Sequence, residues 1–395
     1  MRCLSIRGCT TSAVVLVAVV VALVPTPAAW VEQLYSRQIY LVTQRVVTSV
    51  SSLVTFSLLD PLVVLGVGGL GWWWWRALCH PPEERRLHTV GRMIINTTAV
   101  VALVYLVFIA TWGLNYRREP LTAKLNYEPD RISSTALADF SVESVGYLNA
   151  LSAVADSRTW PAFDDLPGRF APAFTEVQRR LGATRTAIVG RPKRTLFSAY
   201  FQRAGIDGMM NPFSLEILVN HAVLPYERPF LVAHEWAHLA GYANEAEASF
   251  VGFLVCLAGD VQSQYSAWLF LVPQLLRHIP NETRVEVYAA LDDVPRQHLR
   301  EIAVRLDRAV PVVRRNASRI YDRFLRANRV NDGIASYGLV VDLVLGTGGT
   351  TVWRGFMSRD GMIRPAVGDR NVQVGHDGTR WRGKRGRRLS PLRIG

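Results

Sequence analysis

The sequence predicts a mainly α-helical chain: three N-terminal transmembrane helices, then a mainly helical extramembrane domain with a small β element. Composition is the first reason. Of 395 residues 49% are hydrophobic and only 19% charged, against about 25% charged in an average soluble domain. The deficit falls in the first third of the chain, which argues against a plain cytosolic enzyme. The second reason is three long stretches almost without charge near the N-terminus. The third is the change to mixed, periodic sequence from about residue 115. Disorder throughout is excluded, because 11 Trp, 15 Phe and 13 Tyr are too many for a chain that never packs.

Between Arg7 and Glu32 lie 24 uncharged residues. Between Arg45 and Arg76 lie 30 residues with one charge, Asp60, and between Arg92 and Arg117 lie 24 with none. A spanning helix needs about 20 mostly apolar residues, so spans are expected near 11–30, 53–76 and 93–113. The second ends in Trp72-Trp73-Trp74-Trp75 before Arg76, an interfacial aromatic anchor. Arg2 and Arg7 before a short apolar core also resemble a signal peptide. Pro25 and Pro27 fall where its cleavage site belongs, so an uncleaved span is the better reading. Asp60-Pro61 is read as a kink or an interfacial position rather than a functional charge. Arginines at the N-terminus and in the 76–92 loop place those segments inside and everything after the third span outside; Arg117, Arg118 and Lys124 pull the other way.

Beyond residue 115, stretches 133–157 and 170–181 read as amphipathic helices. Arg194 to Ala199 and Gly208 to Asn220 read as strands or extended loops, being short apolar runs cut by Gly and Pro. Helices are expected again over 229–240, 245–258, 264–277, 295–328 and 333–345. The end of the chain, 359–395, is Gly/Arg-rich and reads as disordered. The expected division is 1–114 membrane, 115–350 extramembrane, 351–395 basic tail. The net charge of +13 owes much to that tail, where Arg380 to Arg393 holds seven basic residues and no acidic one, so the fold as a whole is not read as a nucleic-acid binder. Its functional reading is weak attraction to anionic lipid or cell-wall polymer; its plain reading is a solvated extension. Cys3, Cys9, Cys79 and Cys256 show no C-x-x-C spacing and imply neither a cysteine metal site nor a disulfide framework.

The chemistry is concentrated in Pro229 to His238. His234 and His238 are spaced i, i+4, so both imidazoles lie on one helix face and can bind one metal ion. Glu235 follows the first histidine, where its carboxylate can reach a water held by that ion. This is the HExxH arrangement of zinc-dependent peptidases, and it makes the predicted domain zincin-like. Catalytic zinc usually has three protein ligands and an open position. Gly241 can end the helix, and the acidic start of the next one then supplies the third ligand. Glu245 is favoured. Glu247 is the alternative, roughly 200° further round a helix of 3.6 residues per turn, and would otherwise support the ligands from behind. The bland reading is an amphipathic helix with two ordinary histidines, weakened by the apolar run before His234. Tyr337, Tyr242 and His221 are candidate donors to a developing oxyanion, Tyr337 first among them. Gly208 to Asn220 could hold an extended substrate by main-chain pairing, or be a plain structural strand.

Four blocks resemble the bacterial membrane family called domain of unknown function 3810. They are Thr111-Trp112-Gly113-Leu114-Asn115-Tyr116 with Arg117, the block from Pro225 to Phe253, Gln264-Tyr265-Ser266-Ala267-Trp268, and Asp332-Gly333-Ile334-Ala335-Ser336-Tyr337-Gly338. The resemblance covers about 50–346. It implies a zinc metallopeptidase with His234, His238 and Glu245 as ligands and Glu235 as base. The block also resembles gluzincin peptidases, except that Ser249 stands where they carry Asn or Asp behind the ligands.

The resulting expectation is a multi-pass protein of the bacterial cytoplasmic membrane with its catalytic domain outside. It would hydrolyse peptide bonds of a peptide or protein at the cell envelope, with Zn2+ as cofactor, Glu235 and Tyr337 as catalytic residues and no nucleic-acid partner. The rivals are an amidase acting on cell-wall crosslinks, a zinc-binding sensor with little turnover, and a purely structural zinc site.

Overall fold

The computed structural model describes residues 6–79 and 86–349. Its first elements follow from apolar composition. Helix α1 (Ile6–Leu23) stops before Pro25 and Pro27. The chain then turns by 109° into a continuous helical run: α2 (Ala28–Trp30), a π-helical stretch (Val31–Ile39) and α3 (Tyr40–Ser52). Helices α4 (Leu59–Cys79) and α5 (Arg86–Thr111) follow. Among the described residues, α4 and the His88–Thr111 part of α5 are long and apolar enough to cross a membrane. A third candidate exists only if α1 and the bent run after it count as one.

Several expectations change here. The 11–30 span ends early, and the stretch between the first two expected spans is helical. Its buried seam is largely polar: the Tyr40 hydroxyl donates to Leu239 O (2.8 Å), Gln44 pairs with the Ile188 main chain, and Thr48 donates to Leu215 O (2.7 Å). A seam that binds backbone rather than apolar surface has no hydrophobic periodicity to read. The second apolar helix begins at Leu59, not 53, because Phe56 forms a bridge with Arg194. Asp60, in the first turn of α4, accepts from Thr195 Oγ1 (2.5 Å) and Leu196 N (2.8 Å); the charge is structural.

The remaining chain is mostly helical: α6 (Ser134–Asp156), α7 (Leu166–Arg180), α8 (Ser198–Ala204), α9 (Arg228–Leu239), α10 (Glu245–Leu257), α11 (Val261–His278), α12 (Asn281–Ala289), α13 (Asp293–Leu306), α14 (Pro311–Ala327) and, after a 3-10 segment (Gly333–Leu339), α15 (Val340–Gly346). The expected helix over 295–328 is two helices. Residues 307–310 break it ahead of Pro311, where Val310 N instead donates to Arg203 O (2.9 Å). Of the strand or extended loop expected over 194–199, only the start is extended, with Arg194 in a single bridge to Phe56; β1 is Pro192–Lys193, and Ser198 starts α8. Gly208 to Asn220 is a hairpin of β2 (Gly208–Asn211) and β3 (Glu216–Val219). Its turn is pinned by Asn211 Nδ2 donating to Ser214 Oγ (2.6 Å) and Glu216 Oε1 (3.0 Å). The sheet runs β1-β3-β2, with β1 parallel and β2 antiparallel to β3. Helices α9, α10 and α11 form the centre of the core, packed by α6, α7 and α15. Trp236 on α9 is fully buried between Phe170 and Phe174 of α7. Trp268 on α11 stacks on Tyr147 of α6 at 5.0 Å. Cys3 and the basic tail at 351–395, with the disorder expected of 359–395, lie outside the described residues.

Candidate metal centre

Helix α9 opens at Arg228-Pro229, where the missing proline N–H costs nothing, and is buried from Pro229 to Leu239. It ends in a glycine stop. Gly241 adopts φ +84, its N–H returns to His238 O (2.9 Å), and Tyr242 N returns to Ala237 O (3.1 Å), the double bond of a Schellman turn. Two more donors reach the helix end from the membrane-proximal part of the chain: Trp112 Nε1 donates to the same His238 O (3.0 Å) and the Tyr40 hydroxyl to Leu239 O. Asn244 then caps α10, accepting from Ala246 N (2.9 Å) and Glu247 N (3.3 Å). The turn folds α10 against α9 so closely that a Cβ on Gly252 would lie 2.9 Å from His234 N.

This fold-back brings Glu245 to the histidine pair. Glu245 Oε2 stands 3.3 Å from His234 Nε2 and 3.4 Å from His238 Nε2, and the three residues form a cluster able to hold a metal ion. Those distances exceed the about 2.7–2.9 Å of a charge-assisted hydrogen bond. They match the edge of a tetrahedron: bonds of about 2.0–2.1 Å around zinc set neighbouring donors about 3.3–3.4 Å apart. Glu245 Oε2 and Glu235 Oε2 are both buried without a hydrogen-bond partner. Buried carboxylate oxygens need a donor or a cation, so the donor set fits a divalent ion.

The opposite ring nitrogens are anchored. His238 Nδ1 lies 2.8 Å from Tyr242 O; the contact requires Nδ1–H and leaves Nε2 free as a ligand. His234 Nδ1 lies 3.2 Å from Ser249 Oγ. Ser249 thus takes up the supporting position despite being shorter than Asn or Asp. Burial lowers the pKa of His234 and keeps its imidazole neutral. Burial opposes charge on His238 too, but Glu245 and Glu235 outweigh it and raise that ring to about 9. Burial would raise Glu245; the two imidazoles beside it hold it well below the usual carboxylate range. Glu235 is pushed up by burial to about 8. It lies against β2, where the Met210 N–H donates to it and a Cβ on Gly208 would come within 2.6 Å of Oε1.

Of the remaining candidates, Glu247 is elsewhere: its Oε1 accepts from Leu121 N at 2.6 Å. Tyr337 lies beside Glu245, and desolvation of its hydroxyl with the Glu245 charge raises its phenol pKa well above 10, although 37% of the residue is exposed. The Tyr242 ring instead lies under Arg118, and His221 accepts from Arg194 Nε (3.0 Å) against Phe163; neither ring takes part. Tyr321, not foreseen, donates its hydroxyl to Glu245 Oε1. It sits 76 positions away on an amphipathic helix, and no local pattern marks it.

A family model described as protein of unknown function (DUF3810) matches residues 35–345. The chain belongs to the DUF3810 family. No curated protein and no solved structure matches it. The DUF3810 match contains His234, Glu235, His238, Glu245, Tyr321 and Tyr337, and it begins within the π-helical stretch after α1.

Proposed function

We propose that this DUF3810 protein is a membrane-anchored zinc metallopeptidase with a zincin-like domain. The observation that carries the reading is the buried His234–His238–Glu245 triangle, whose two Glu245–imidazole edges match a tetrahedral zinc site, with Glu235 beside it. Among the described residues no fourth His, Cys, Asp or Glu joins the cluster, which leaves the open position of a catalytic rather than a structural site.

A zinc ion held by His234, His238 and Glu245 would supply Lewis acidity and make water a nucleophile at neutral pH. Its charge would also draw the Glu235 carboxyl, which burial raises to about 8, back to the carboxylate form, and Glu235 would then take the proton from the attacking water and return it to the leaving amine. Its unpartnered Oε2 is available for that transfer. Tyr321 fixes Glu245 through its hydroxyl, and Tyr337, beside the same carboxylate, remains the candidate donor to the oxyanion. The substrate chain pairs with β2, an edge strand of the sheet, whose Gly208 backbone borders Glu235.

The chain leaves α1 and α5 and enters α4 on the side of the metal centre. The first turn of α1, the last of α4 and the first of α5 therefore share the other side, and the arginines of the sequence around them make that side cytoplasmic in this reading. The substrate is a peptide or protein at the cell envelope.

The test uses the full chain purified in detergent. Both wild type and Glu235→Gln are expected to hold one zinc per chain. Cleavage of a quenched-fluorescent peptide library is expected to fall by about 10²–10⁴-fold in the variant. Wild type that never retains zinc, or equal cleavage by the two proteins, overturns the proposal.

A further inference from the structure

Helix α14 presents two faces with different tasks. Successive residues are about 100° apart, which puts Tyr321 and Leu325 on the inner side. There Tyr321 reaches Glu245 and Leu325 is fully buried. The outer arc carries Arg315, Arg319 and Arg323 along one edge. Ile320 (67% exposed) and Phe324 run along the other, while Val312 (64% exposed) falls within the arginine arc, a turn and more before Arg319. Among the described residues none of these three arginines meets a carboxylate in an ion pair, whereas Arg326 next to them is held by Asp322 at 2.9 Å. A basic edge beside an apolar edge is the pattern of a helix lying in a membrane interface.

Position supports the same occupant. Phe324 packs against Phe108, near the end of α5, at 5.8 Å and against Tyr116 just beyond it at 5.9 Å. Arg329, two residues past α14, donates to Val24 O (3.2 Å), and Arg117 donates to Val21 O (2.8 Å). The apolar edge of α14 is therefore continuous with the apolar surface of the candidate spans, at the level where α1 and α5 end.

We propose that the outer face of α14 docks on the anionic headgroups of the bilayer that α4 and α5 cross, with Arg315, Arg319 and Arg323 on phosphate and Ile320 below them. This rests on the membrane-crossing reading and not on zinc. Because Tyr321 lies on the reverse face, the docked helix fixes one wall of the metal centre.

Amide hydrogen exchange of the full chain in nanodiscs tests it, comparing phosphatidylcholine alone with a phosphatidylcholine–phosphatidylglycerol mixture. An arginine near an anionic surface contributes a factor of about five, so exchange over 315–327 is expected to slow by about tenfold or more in the anionic bilayer. The slowing should vanish in Arg315→Gln/Arg319→Gln/Arg323→Gln and persist in the corresponding triple Lys variant, which keeps the charge. Equal exchange of wild type in the two bilayers, or slowing that survives the triple Gln change, overturns the proposal. Protection of α4 and α5 in both bilayers reports separately on insertion, and protection of α9 on folding.

Discussion

Glu235 differs from the other members of the cluster in having backbone for a neighbour. Gly208 opens β2 at a point where any side chain would collide with the carboxylate: an added Cβ would lie 2.6 Å from Glu235 Oε1 and 3.0 Å from Leu231 Cδ1. Both are ends of flexible side chains, so Gly208→Ala is expected to leave the fold intact and push the carboxylate aside. Glu235 is not in the metal-ligating triangle, so zinc content should stay at the wild-type level. Misplacing a general base by about 1 Å costs on the order of 10²-fold, and turnover should fall by about that factor. Parallel zinc analysis and peptide kinetics check this. A Gly208→Ala protein with wild-type kcat would show that Glu235 has no defined place in the reaction. The motif made Glu235, His234 and His238 readable from sequence, because i, i+4 spacing is a property of one helix. The support behind them was not readable: Tyr321 reaches Glu245 from another helix, and Trp112 closes the α9 end from beyond α5.

At the scale of elements, the centre is made by one close helix pair. Gly252 on α10 faces the His234 main chain, where an added Cβ would meet N at 2.9 Å and Cα at 3.0 Å. Here the obstacle is backbone, so Gly252→Ala must move α10 away from α9. Overpacking of this kind costs typically about 1–3 kcal/mol, and it also carries Glu245 away from the imidazoles. The expected result is a lower melting temperature together with weaker zinc retention in a chelator titration. Retention equal to wild type would mean that the site does not depend on the α9–α10 approach. The same elements show what a sequence can tell. Helix α6 buries one apolar face and is legible by its period, whereas α9 and α10 are buried all round and are legible instead by a proline start, a glycine stop and an acidic helix start. The run from Ala28 to Ser52 buries Tyr40, Gln44 and Thr48 against main-chain atoms, and polar seams have no such signature. The break before Pro311 was hidden by helical sequence on both sides of it. Glu245 was legible because a glycine stop followed by an acidic helix start leaves the chain few ways to turn.

For the whole molecule, the membrane-proximal helices and the His234–His238–Glu245 cluster are joined through one buried ion cluster. Glu32, in the π-helical stretch after α1, binds Arg118 at 2.8 Å and Lys124 at 2.6 Å. Arg118 continues to Gly241 O (2.9 Å) and lies over the Tyr242 ring, so the cluster holds the turn between α9 and α10. Burial alone would raise the Glu32 carboxyl; Arg118 and Lys124 outweigh it and bring its pKa from 4.5 down to about 2. A carboxylate depressed in the folded state stabilises above its unfolded pKa, and that stability is lost as pH falls through the folded value. The contribution is therefore full above about pH 5 and disappears between there and about pH 2, and a depression of this size is worth on the order of 3 kcal/mol. Glu32→Gln removes it at every pH and leaves Arg118 without its carboxylate. Melting curves in detergent should show the variant well below wild type at pH 7 and the two converging as pH falls from about 5 toward about 2. A gap of constant size across that window would mean that Glu32 does not couple the entry from α1 to the turn that carries Glu245.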